Sequence, residues 1–446
     1  MKISFYTLGC KQNYAETSHI REQFEKNGST VVEFGEPCDA VLINTCTVTE
    51  NADVECRKII RRAMKHSPDA WVGITGCYAQ LQPEEIASVD GVDAVFGAKE
   101  KFNIQKLVTR FEKADTPKIF VDDTEDLDFV EASFSENDSR TRSFLKMQDG
   151  CDYNCSFCTI PMARGASRSM NFSEIEKHIR RLEQAGYHEV ILTGINLGEY
   201  NAPTGERFID VLKFIDGLKP NVRVRLSSVE PNKISQEIIE LIAESETFCK
   251  HFHLPLQSGS AEVLRMMRRR YKADYYADLI GRIKSFIPHA GIGADVITGF
   301  PGETDELFEE TYSFIHGLPI SYLHVFTYSE RDNTPAIGYP GKVPVHHRKE
   351  RTTRLRSLSV KKKFEFYQQN IGAELIVIPE MYNSTTGRWN GYTENYIRTE
   401  FAGEPSMIQQ PMRVLLQSID GDIMIGESVN SVANSITPEY IPLLIA

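Results

Sequence analysis

The chain has 446 residues, of which 41% are hydrophobic and 25% are charged, and its formal net charge is −12 at pH 7. This composition is typical of a soluble globular protein with two or three domains. The negative charge excludes a generally basic nucleic-acid binder, so any contact with a polyanion needs local basic patches. Apolar runs are too short to cross a membrane and the N-terminus resembles no signal peptide, which predicts a cytoplasmic protein with reduced thiols or metal-bound cysteines.

Residues 1–120 alternate short apolar runs with helical patterns. Strands are expected at residues 3–8, 31–34, 40–43, 71–75 and 92–96, and helices at residues 14–27, 51–66 and 99–113. This alternation predicts an α/β domain with an open parallel sheet and helices on both faces. Residues 119–139 hold eight acids and no lysine or arginine, which predicts an exposed acidic linker over 121–139.

Three cysteines of this first region follow predicted strands directly. They are Cys10, Cys46 and Cys77. In open α/β sheets, ligands bind at the carboxyl ends of the strands, so the three sulfurs are expected to converge on a metal. The alternative is three unrelated buried thiols, since free cysteine is commonly buried. Cys38 and Cys56 do not share this placement, and they are assigned no role.

Residues 140–370 resume the alternation of strands and helices. Six strands are expected, at residues 143–147, 188–193, 222–226, 251–254, 292–297 and 322–327. Consecutive βα units predict a partial (β/α)6 barrel with its active site at the carboxyl ends of the strands. Residues that follow these strands are candidate cofactor contacts, although an ordinary role in a turn remains open for each one. They are Gly194, Ser228, Gln257 and Gly299.

Cys151, Cys155 and Cys158 follow the first of these strands with the spacing CxxxCxxC. Three thiolates on a short loop are suited to a 4Fe–4S cluster, which normally takes four cysteine ligands, so that one iron stays open for chemistry. A zinc site needs four ligands, and no further cysteine or histidine lies at ligand spacing. A disulfide with a spare thiol does not fit a reducing compartment. The spacing favours a catalytic iron–sulfur cluster.

The last third of the chain carries a basic segment and a small domain. Residues 342–363 contain nine lysines or arginines and one acid, a helix is expected over 348–370, and residues 265–272 form a second basic patch. These patches predict a footprint for a polyanion. Residues 372–446 show short alternating strands typical of a small β-barrel, but residues 373–446 have nine acids, three arginines and no lysine. The barrel alone would bind phosphate weakly.

Several strings in the chain are similar to those of the radical S-adenosylmethionine (SAM) methylthiotransferases. They are residues 150–165 (GCDYNCSFCTIPMARG), 9–10 (GC), 44–48 (NTCTV) and 76–80 (GCYAQ). The resemblance covers essentially the whole chain. It implies one 4Fe–4S cluster on Cys151, Cys155 and Cys158, whose open iron chelates SAM, and an auxiliary 4Fe–4S cluster on Cys10, Cys46 and Cys77. It further implies that the C-terminal barrel is an RNA-binding TRAM domain.

Within that family, residues 5–11 (FYTLGCK), 195–200 (INLGEY) and 225–231 (RLSSVEP) look like the branch that acts on threonylcarbamoyladenosine in the anticodon loop of tRNA. The resemblance implies radical attack on carbon 2 of that adenine and transfer of a methylated sulfur from the auxiliary cluster. It also implies an electron donor such as flavodoxin or ferredoxin, a sulfur source, and substrate contacts from Tyr328 and Arg331. Trp389, Tyr392 and Tyr396 are expected either to stack on unpaired bases or to fill the core.

Other functions remain open at this point. The isopentenyladenosine branch uses the same chemistry on a different adenosine, and a third branch modifies an aspartate of a ribosomal protein. A non-catalytic RNA-binding protein with an iron–sulfur or zinc site is the alternative from another class.

Overall fold

The computed structural model describes residues 1–46, 50–132, 141–407 and 410–432. Within these ranges, no helix is both long and apolar enough to span a membrane. The chain is α/β, with an N-terminal parallel sheet, a central set of six parallel strands and a C-terminal closed β-barrel. The predicted fold class is confirmed.

The N-terminal region forms a six-stranded, all-parallel sheet in the order β2-β1-β3-β4-β5-β6. One hydrophobic cluster on it includes Ile59 and Ile60, and a separate one includes Ile20 and Phe24, so helices cover both faces as predicted. The strands are β1 (Lys2–Thr7), β2 (Thr30–Val32), β3 (Ala40–Thr45), β4 (Trp71–Gly76), β5 (Ala94–Phe96) and β6 (Lys118–Phe120). The helices are α1 (Lys11–Lys26), α2 (Glu50–His66), α3 (Cys77–Leu81), α4 (Pro83–Ala87) and α5 (Ile104–Leu107).

One predicted helix of this region is wrong, and one strand was not predicted. The expected helix over 99–113 is only a 3-10 turn (Glu100–Phe102) followed by α5, because the chain leaves helical geometry at Asn103, where φ is −121°. Phe111 instead packs edge-on against Trp71, with ring centroids 4.9 Å apart. Residues 118–120, directly before the predicted linker, form β6, which pairs with β5 and stacks Phe120 on Phe96 with ring centroids 5.3 Å apart. A three-residue edge strand beside an acidic stretch gives almost no pattern in the sequence.

The central region contains two parallel three-stranded sheets in the orders β11-β10-β7 and β12-β13-β14. Two isolated bridges join these sheets: Val224 of β11 pairs with Phe248, which precedes β12, and Ser228, which follows β11, pairs with His253 of β12. The two sheets therefore form one curved partial barrel with β7 and β14 at its edges. Its strands are β7 (Arg142–Lys146), β10 (Glu189–Thr193), β11 (Arg223–Leu226), β12 (His251–His253), β13 (Gly291–Thr298) and β14 (Tyr322–Thr327). Two further strands of two residues each, β8 (Gln148–Asp149) and β9 (Arg168–Ser169), pair antiparallel in a separate small sheet.

Helices of the central region cover the outside of these strands over one large hydrophobic core. They are α6 (Ile160–Arg164), α7 (Phe172–Gln184), α8 (Phe208–Gly217), α9 (Gln236–Glu244), α10 (Ala261–Met266), α11 (Ala273–Phe286), α12 (Asp305–Gly317) and α13 (Val345–Gln368). A capping box at Ser173, which the motif 173–176 suggests, is absent: α7 begins one residue earlier, and its N-cap residue Asn171 makes no side-chain cap.

Helix α1 closes the open side of the partial barrel by packing against β7. Gln12 donates from Nε2 to the Gln148 carbonyl at 3.1 Å and accepts from Thr193 Oγ1 at 3.2 Å. Farther along the same helix, Glu22 pairs with Arg181 of α7. The N-terminal domain therefore docks directly beside the carboxyl ends of the barrel strands.

The C-terminal barrel closes the other end. Its strands are β15 (Glu374–Asn383), β16 (Arg388–Thr393), β17 (Arg398–Ala402), β18 (Met412–Asp420) and β19 (Ile423–Val432). Arg223 donates to the carbonyls of Ile376 and Tyr392, and Arg225 donates to those of Thr393 and Glu394. Both arginines also pair with the buried Glu189. The base of the partial barrel is thereby fixed to the small barrel.

Candidate active site

The loop with Cys151, Cys155 and Cys158 lies between β8 and α6. Gly150 precedes it with φ at +71°, and a Cβ there would lie 1.9 Å from the Ala166 carbonyl oxygen, so the turn requires glycine. The Cys151 amide donates to the Gly165 carbonyl at 3.1 Å and draws the two ends of the segment together. The strand–loop–helix arrangement thus presents three thiols from one tight loop.

A cavity of about 750 Å³ opens on this loop and is lined by all three cysteines. Another wall comes from residues 124–127, within the predicted acidic linker. Thr124 donates from Oγ1 to the Met162 carbonyl at 3.3 Å, which holds that segment on α6. Part of the linker therefore borders the candidate site, a role that its composition alone does not indicate.

Burial raises the pKa of the Cys151 and Cys158 thiols to about 12. Thiols of this kind lose their protons when they bind a metal cation, because the metal takes the place of the proton on the sulfur. Burial also raises the pKa of Cys155, while the positive charge of the Arg269 guanidinium acts to lower that pKa. Arg269 Nη1 lies 3.1 Å from Cys155 Sγ. Arg269 is held in place by an ion pair with Glu230. Sequence reasoning placed Arg269 in a basic surface patch, whereas the fold turns it inward to a cysteine sulfur.

The second trio sits at the ends of three neighbouring strands. Cys10 follows β1 and immediately precedes α1, Cys46 follows β3, and Cys77 begins α3 after β4. A Cβ on Gly9 would lie 2.5 Å from Cys46 Cβ, so the Cys10 loop and Cys46 are in close contact. Residues 47 and 48 of the predicted NTCTV string lie outside the described residues.

Cys10 is the most accessible cysteine of the second trio. Its side chain is accessible, yet enough protein surrounds it for burial to raise its thiol pKa, with Arg164 opposing and Cys77 adding to the rise. Cys46 and Cys77 are buried. Arg164 in turn has both Cys10 and Cys77 among the groups that raise its own pKa. Cys10, Cys77 and Arg164 therefore share one electrostatic environment.

The two trios face the same domain boundary. Helix α3, which begins at Cys77, packs against α6, which begins two residues after Cys158. A cavity of about 120 Å³ lies along this contact and is lined by Tyr78 and Leu81 from one side and Thr159 and Met162 from the other.

A buried charge cluster aligns the two domains at this boundary. Glu16 of α1 contacts Arg164 at 2.8 Å, Lys101 at 2.8 Å and Lys146 at 3.5 Å. Asp149 contacts the same Arg164 and Lys146 at 3.0 and 3.1 Å. Burial acts to raise the pKa of Glu16, but the three cations outweigh it and lower that pKa to about 2. Both carboxylates are thus ionised and paired across the domain boundary.

Two of the four predicted SAM contacts connect to a second cavity. This cavity, of about 220 Å³, is lined by Cys158, Gln257, Asp295 and others. Ser228 Oγ lies 2.7 Å from His253 Nδ1, and His253 Nε2 lies 3.3 Å from Asp295 Oδ1. Ser228 is therefore connected to this cavity only indirectly, through His253 and Asp295, whereas Gln257 lines the cavity itself.

The two predicted glycines lie in more crowded positions. A Cβ on Gly194 would lie 2.7 Å from Gln148 Oε1, which accepts a hydrogen bond from the Asn196 amide. Asn196 Nδ2 in turn lies 3.9 Å from Cys151 Sγ. Gly299 has φ at +75° and packs under Arg348, where a Cβ would lie 2.3 Å from Arg348 Cγ. Gly194 is thus adjacent to the cysteine loop, and Gly299 supports the junction with α13.

Arg331 and Tyr328 lie at the same domain boundary. Both line the second cavity. Arg331 donates from Nη1 to Asp53 Oδ2 at 2.5 Å, which connects the end of the barrel to α2. Its Nε and Nη2 are buried and have no hydrogen-bond partner among the described residues. Tyr328 is buried and packs edge-on against Phe300.

Most of the expected RNA-binding side chains have structural partners. Arg348 pairs with Glu330, Arg351 with Glu303, and Lys362 donates to the carbonyls of His316 and Leu318. Part of the basic charge of residues 342–363 is therefore engaged in contacts within the protein. Exposed cations remain on both patches: Lys342, Lys349, Arg356, Lys361, Arg265, Arg268, Arg270 and Lys272.

The three aromatic residues of the small barrel are packed into protein. Trp389 is buried and donates from Nε1 to the Glu404 carbonyl. Tyr392 stacks on Tyr396, which also lies against His251 at the base of the partial barrel. The core-filling alternative holds for Trp389, and the two tyrosines contribute to the contact between domains.

A partial barrel with a CxxxCxxC loop at the carboxyl ends of its strands defines a radical SAM protein. The Radical SAM superfamily matches residues 145–315, and the family described as Uncharacterized protein family UPF0004 matches residues 2–97. The radical SAM methyltransferase TsrM from Kitasatospora setae has a similar fold, with a TM-score of 0.55 over 75% of this chain and 77% of that one at 14% identity.

Curated relatives match over nearly the whole length. The chain is 38% identical to the threonylcarbamoyladenosine tRNA methylthiotransferase MtaB of Bacillus subtilis, over 98% of each chain. It is 33% identical to the MtaB of Thermotoga maritima, over 90% of this chain and 91% of the relative. A tRNA-2-methylthio-N(6)-dimethylallyladenosine synthase of B. subtilis is 30% identical over 96% and 86%. The chain belongs to the MtaB family of radical SAM methylthiotransferases, a family of transferases whose cofactors are 4Fe–4S clusters and SAM.

Proposed function

We propose that this chain adds a methylthio group to carbon 2 of threonylcarbamoyladenosine in tRNA, next to the anticodon. The observation that carries the proposal is the 38% identity to an enzyme of that name over 98% of both chains. The dimethylallyladenosine synthases are less similar, at 28–32% identity. Isopentenyladenosine is therefore the second candidate substrate.

The two cysteine trios fit the two clusters of the family. Cys151, Cys155 and Cys158 would hold the cluster that binds SAM, because these three thiols on one loop line a cavity of about 750 Å³. Cys10, Cys46 and Cys77 would hold the auxiliary cluster at the ends of adjacent strands. When bound, these cofactors supply the radical chemistry that replaces an inert aromatic hydrogen by a methylthio group.

The surrounding residues position and shield these groups. Arg269 donates a hydrogen bond to Cys155 Sγ, and the positive charge of Arg164 acts on Cys10. These interactions stabilise the thiolate forms of Cys155 and Cys10. Gln257, Ser228 and Gly194 are proposed SAM contacts through the second cavity and the cysteine loop, and Gly299 is proposed to keep the adjoining turn in place. The target adenine has to leave the anticodon stack to enter, at a cost of a few kcal/mol.

The remaining partners follow from this chemistry. An electron donor such as flavodoxin or ferredoxin and a sulfur source are needed. We place the RNA contacts on the exposed cations of the two basic patches, which lie beside α13 and beside the cysteine loop, where Arg270 covers Tyr153 at 3.9 Å. We assign residues 1–120 to the methylthiotransferase domain, 121–139 to the linker, 140–370 to the radical SAM barrel and 372–446 to the TRAM barrel. Separate hydrophobic clusters support this division.

The substrate is tested by deleting the gene and quantifying methylthio nucleosides in bulk tRNA by mass spectrometry. Loss of methylthio-threonylcarbamoyladenosine alone is the expected result, and loss of the isopentenyl derivative alone would contradict it.

The clusters are tested by anaerobic iron analysis. Roughly eight irons per chain are expected from two cubanes, falling to about four in Cys77→Ala or Cys155→Ala. Cys249→Ala is the matched control, because Cys249 is a buried thiol outside both trios. Zinc without iron would favour a non-catalytic protein.

A further inference from the structure

Three neighbouring strands of the partial barrel each bring one side chain of a metal-ligand type to the same place. His253 is the last residue of β12, Asp295 lies within β13, and His324 lies within β14. Strand β13 pairs in parallel with both of its neighbours, and Asp295 stands directly opposite His324 in the register. Ile297 and Phe326, two residues farther along β13 and β14, line the second cavity together with Asp295. Since side chains two residues apart on a strand share a face, Asp295 and His324 lie on the face that borders this cavity.

The distances between these side chains match those between the ligands of one metal ion. Asp295 Oδ1 lies 3.3 Å from His253 Nε2 and 3.3 Å from His324 Nδ1. One ligand atom from each of the three residues lies within 4.8 Å of the other two. An N–H···O hydrogen bond is shorter, at about 2.9–3.0 Å. In a tetrahedral site with bonds of about 2.0–2.1 Å, neighbouring ligand atoms stand about 3.3–3.4 Å apart.

His253 is oriented in the way that metal-binding histidines commonly are. Its side chain is buried, and Nδ1 lies 2.7 Å from Ser228 Oγ, so that Nε2 is the ring nitrogen that faces Asp295. His253 Nε2 is buried and makes no hydrogen bond within the part of the chain that the structure describes. A ligating histidine usually bonds its other ring nitrogen to a partner that fixes the tautomer. When Ser228 accepts the Nδ1 proton, Nε2 turns a lone pair toward a carboxylate, and a cation between them stabilises that arrangement.

The three side chains are firmly supported and remain accessible from solvent. The Asp295 carbonyl accepts hydrogen bonds from the amides of Leu256 and Gln257 at 3.1 and 2.7 Å, which fixes β13 beside the end of β12. Strands hold ligands more precisely than loops do. The side chain of His324 is 53% exposed, so an ion can reach the group from outside.

We propose that His253, Asp295 and His324 form a binding site for a divalent transition-metal ion of the zinc type. Two imidazoles and one carboxylate suit such an ion, whereas Mg²⁺ and Ca²⁺ prefer oxygen ligands. Three protein ligands leave one tetrahedral position open. Because Asp295 lines the second cavity with Cys158 and Gln257, an ion held here would coordinate an oxygen atom of a molecule bound in that cavity. The site is separate from both cysteine trios and does not depend on which adenosine is the substrate.

The test measures zinc on the anaerobically reconstituted full-length enzyme after dialysis against a zinc salt. Metal content is determined by mass spectrometry, and zinc K-edge X-ray absorption identifies the neighbouring atoms. The variants are Asp295→Asn, which keeps the shape of the side chain, His324→Ala and Ser228→Ala. The matched control is His316→Ala, which removes an exposed histidine of α12 outside the group. Iron content and circular dichroism verify that each variant is folded and loaded.

Wild type and His316→Ala are expected to bind about one zinc per chain in addition to their iron, with nitrogen and oxygen neighbours at about 2.0–2.1 Å. Asp295→Asn and His324→Ala should lose this zinc and keep their iron. Ser228→Ala retains all three ligands but loses the partner of His253, so it should bind zinc roughly 10- to 100-fold more weakly.

Three results would overturn the inference. They are a wild type that takes up no zinc, zinc whose neighbours are sulfur atoms at about 2.3 Å, and equal zinc in wild type, Asp295→Asn and His324→Ala. Sulfur neighbours would place the zinc on the cysteine trios instead. The proposed function fails separately, because it is measured on the nucleosides of tRNA and not on bound zinc.

Discussion

Arg164 Nη1 lies 2.8 Å from Glu16 Oε1. Arg164 stands six residues after Cys158, and Glu16 stands six residues after Cys10, so one ion pair connects the loops of the two cysteine trios. Both side chains are buried, and Asp149, Lys101 and Lys146 complete the cluster. The distance between the trios is therefore controlled by electrostatics at the domain boundary as well as by apolar packing.

Replacing Arg164 by methionine should leave two buried carboxylates short of positive charge. Breaking a buried pair in this way costs about 3–5 kcal/mol. Thermal unfolding of the anaerobic holoenzyme should show a marked decrease in midpoint and a reduced iron content. The control is Arg282→Met, which removes an exposed pair with Asp278 on α11 and should cost less than about 1 kcal/mol. Equal shifts for the two variants would contradict the role of the cluster.

The turn before the first trio offers a comparison between two glycines. Gly150 and Gly186 both have positive φ, at +71° and +79°, but only Gly150 has an atom in the way of a Cβ. Gly186→Ala should therefore cost only about 1 kcal/mol of backbone strain. Gly150→Ala has to displace the Ala166 carbonyl and should disrupt the cysteine loop, which lowers iron from roughly eight to roughly four per chain. Full iron retention in Gly150→Ala would contradict the requirement for glycine.

Arg269 should tune the reduction potential of the first cluster. Its guanidinium contacts Cys155 Sγ, and positive charge near a cluster sulfur favours the reduced, more negative state. Arg269→Met should therefore lower the midpoint potential. A loss of about 1.4 kcal/mol in the stabilisation of the reduced cluster relative to the oxidised one corresponds to roughly 60 mV for a one-electron step. Redox titration followed by electron paramagnetic resonance measures this shift. Arg269→Lys should move the potential less, and an unchanged potential in Arg269→Met with normal iron content would refute the assignment.

The same charge cluster predicts a dependence of stability on acid. The pKa of Glu16 is about 2 in the folded protein and about 4.5 when unfolded. The folded state then binds the proton less readily, so the contribution of Glu16 is fully present above about pH 5 and declines as pH falls toward 2. The urea midpoint should decrease over that interval by more in wild type than in Glu16→Gln, which has no such proton to take up. Identical pH profiles would contradict the pairing.

The sequence predicted the two trios because each cysteine stands beside a strong local signal. CxxxCxxC is specific by itself, and Cys10, Cys46 and Cys77 follow predicted strands whose shared edge brings them together. The six barrel strands were likewise visible as apolar runs, and each overlaps an observed strand.

The positioning residues could not be read from the sequence in the same way. Arg269 lies in a run of basic residues, and only the fold of the chain after α10 turns it toward Cys155. Glu16 is an ordinary polar residue of a helix until α1 is placed against β7. The partners of Arg348 and Lys362 are likewise set by tertiary contacts, which is why a charge count overestimated the basic surface of α13.

The small barrel covers the base of the partial barrel through the hydrogen bonds of Arg223 and Arg225. The cavities that the cysteine loop lines lie at the opposite rim. We therefore expect substrate to arrive and product to leave on the cysteine side, so that release of one nucleoside precedes binding of the next.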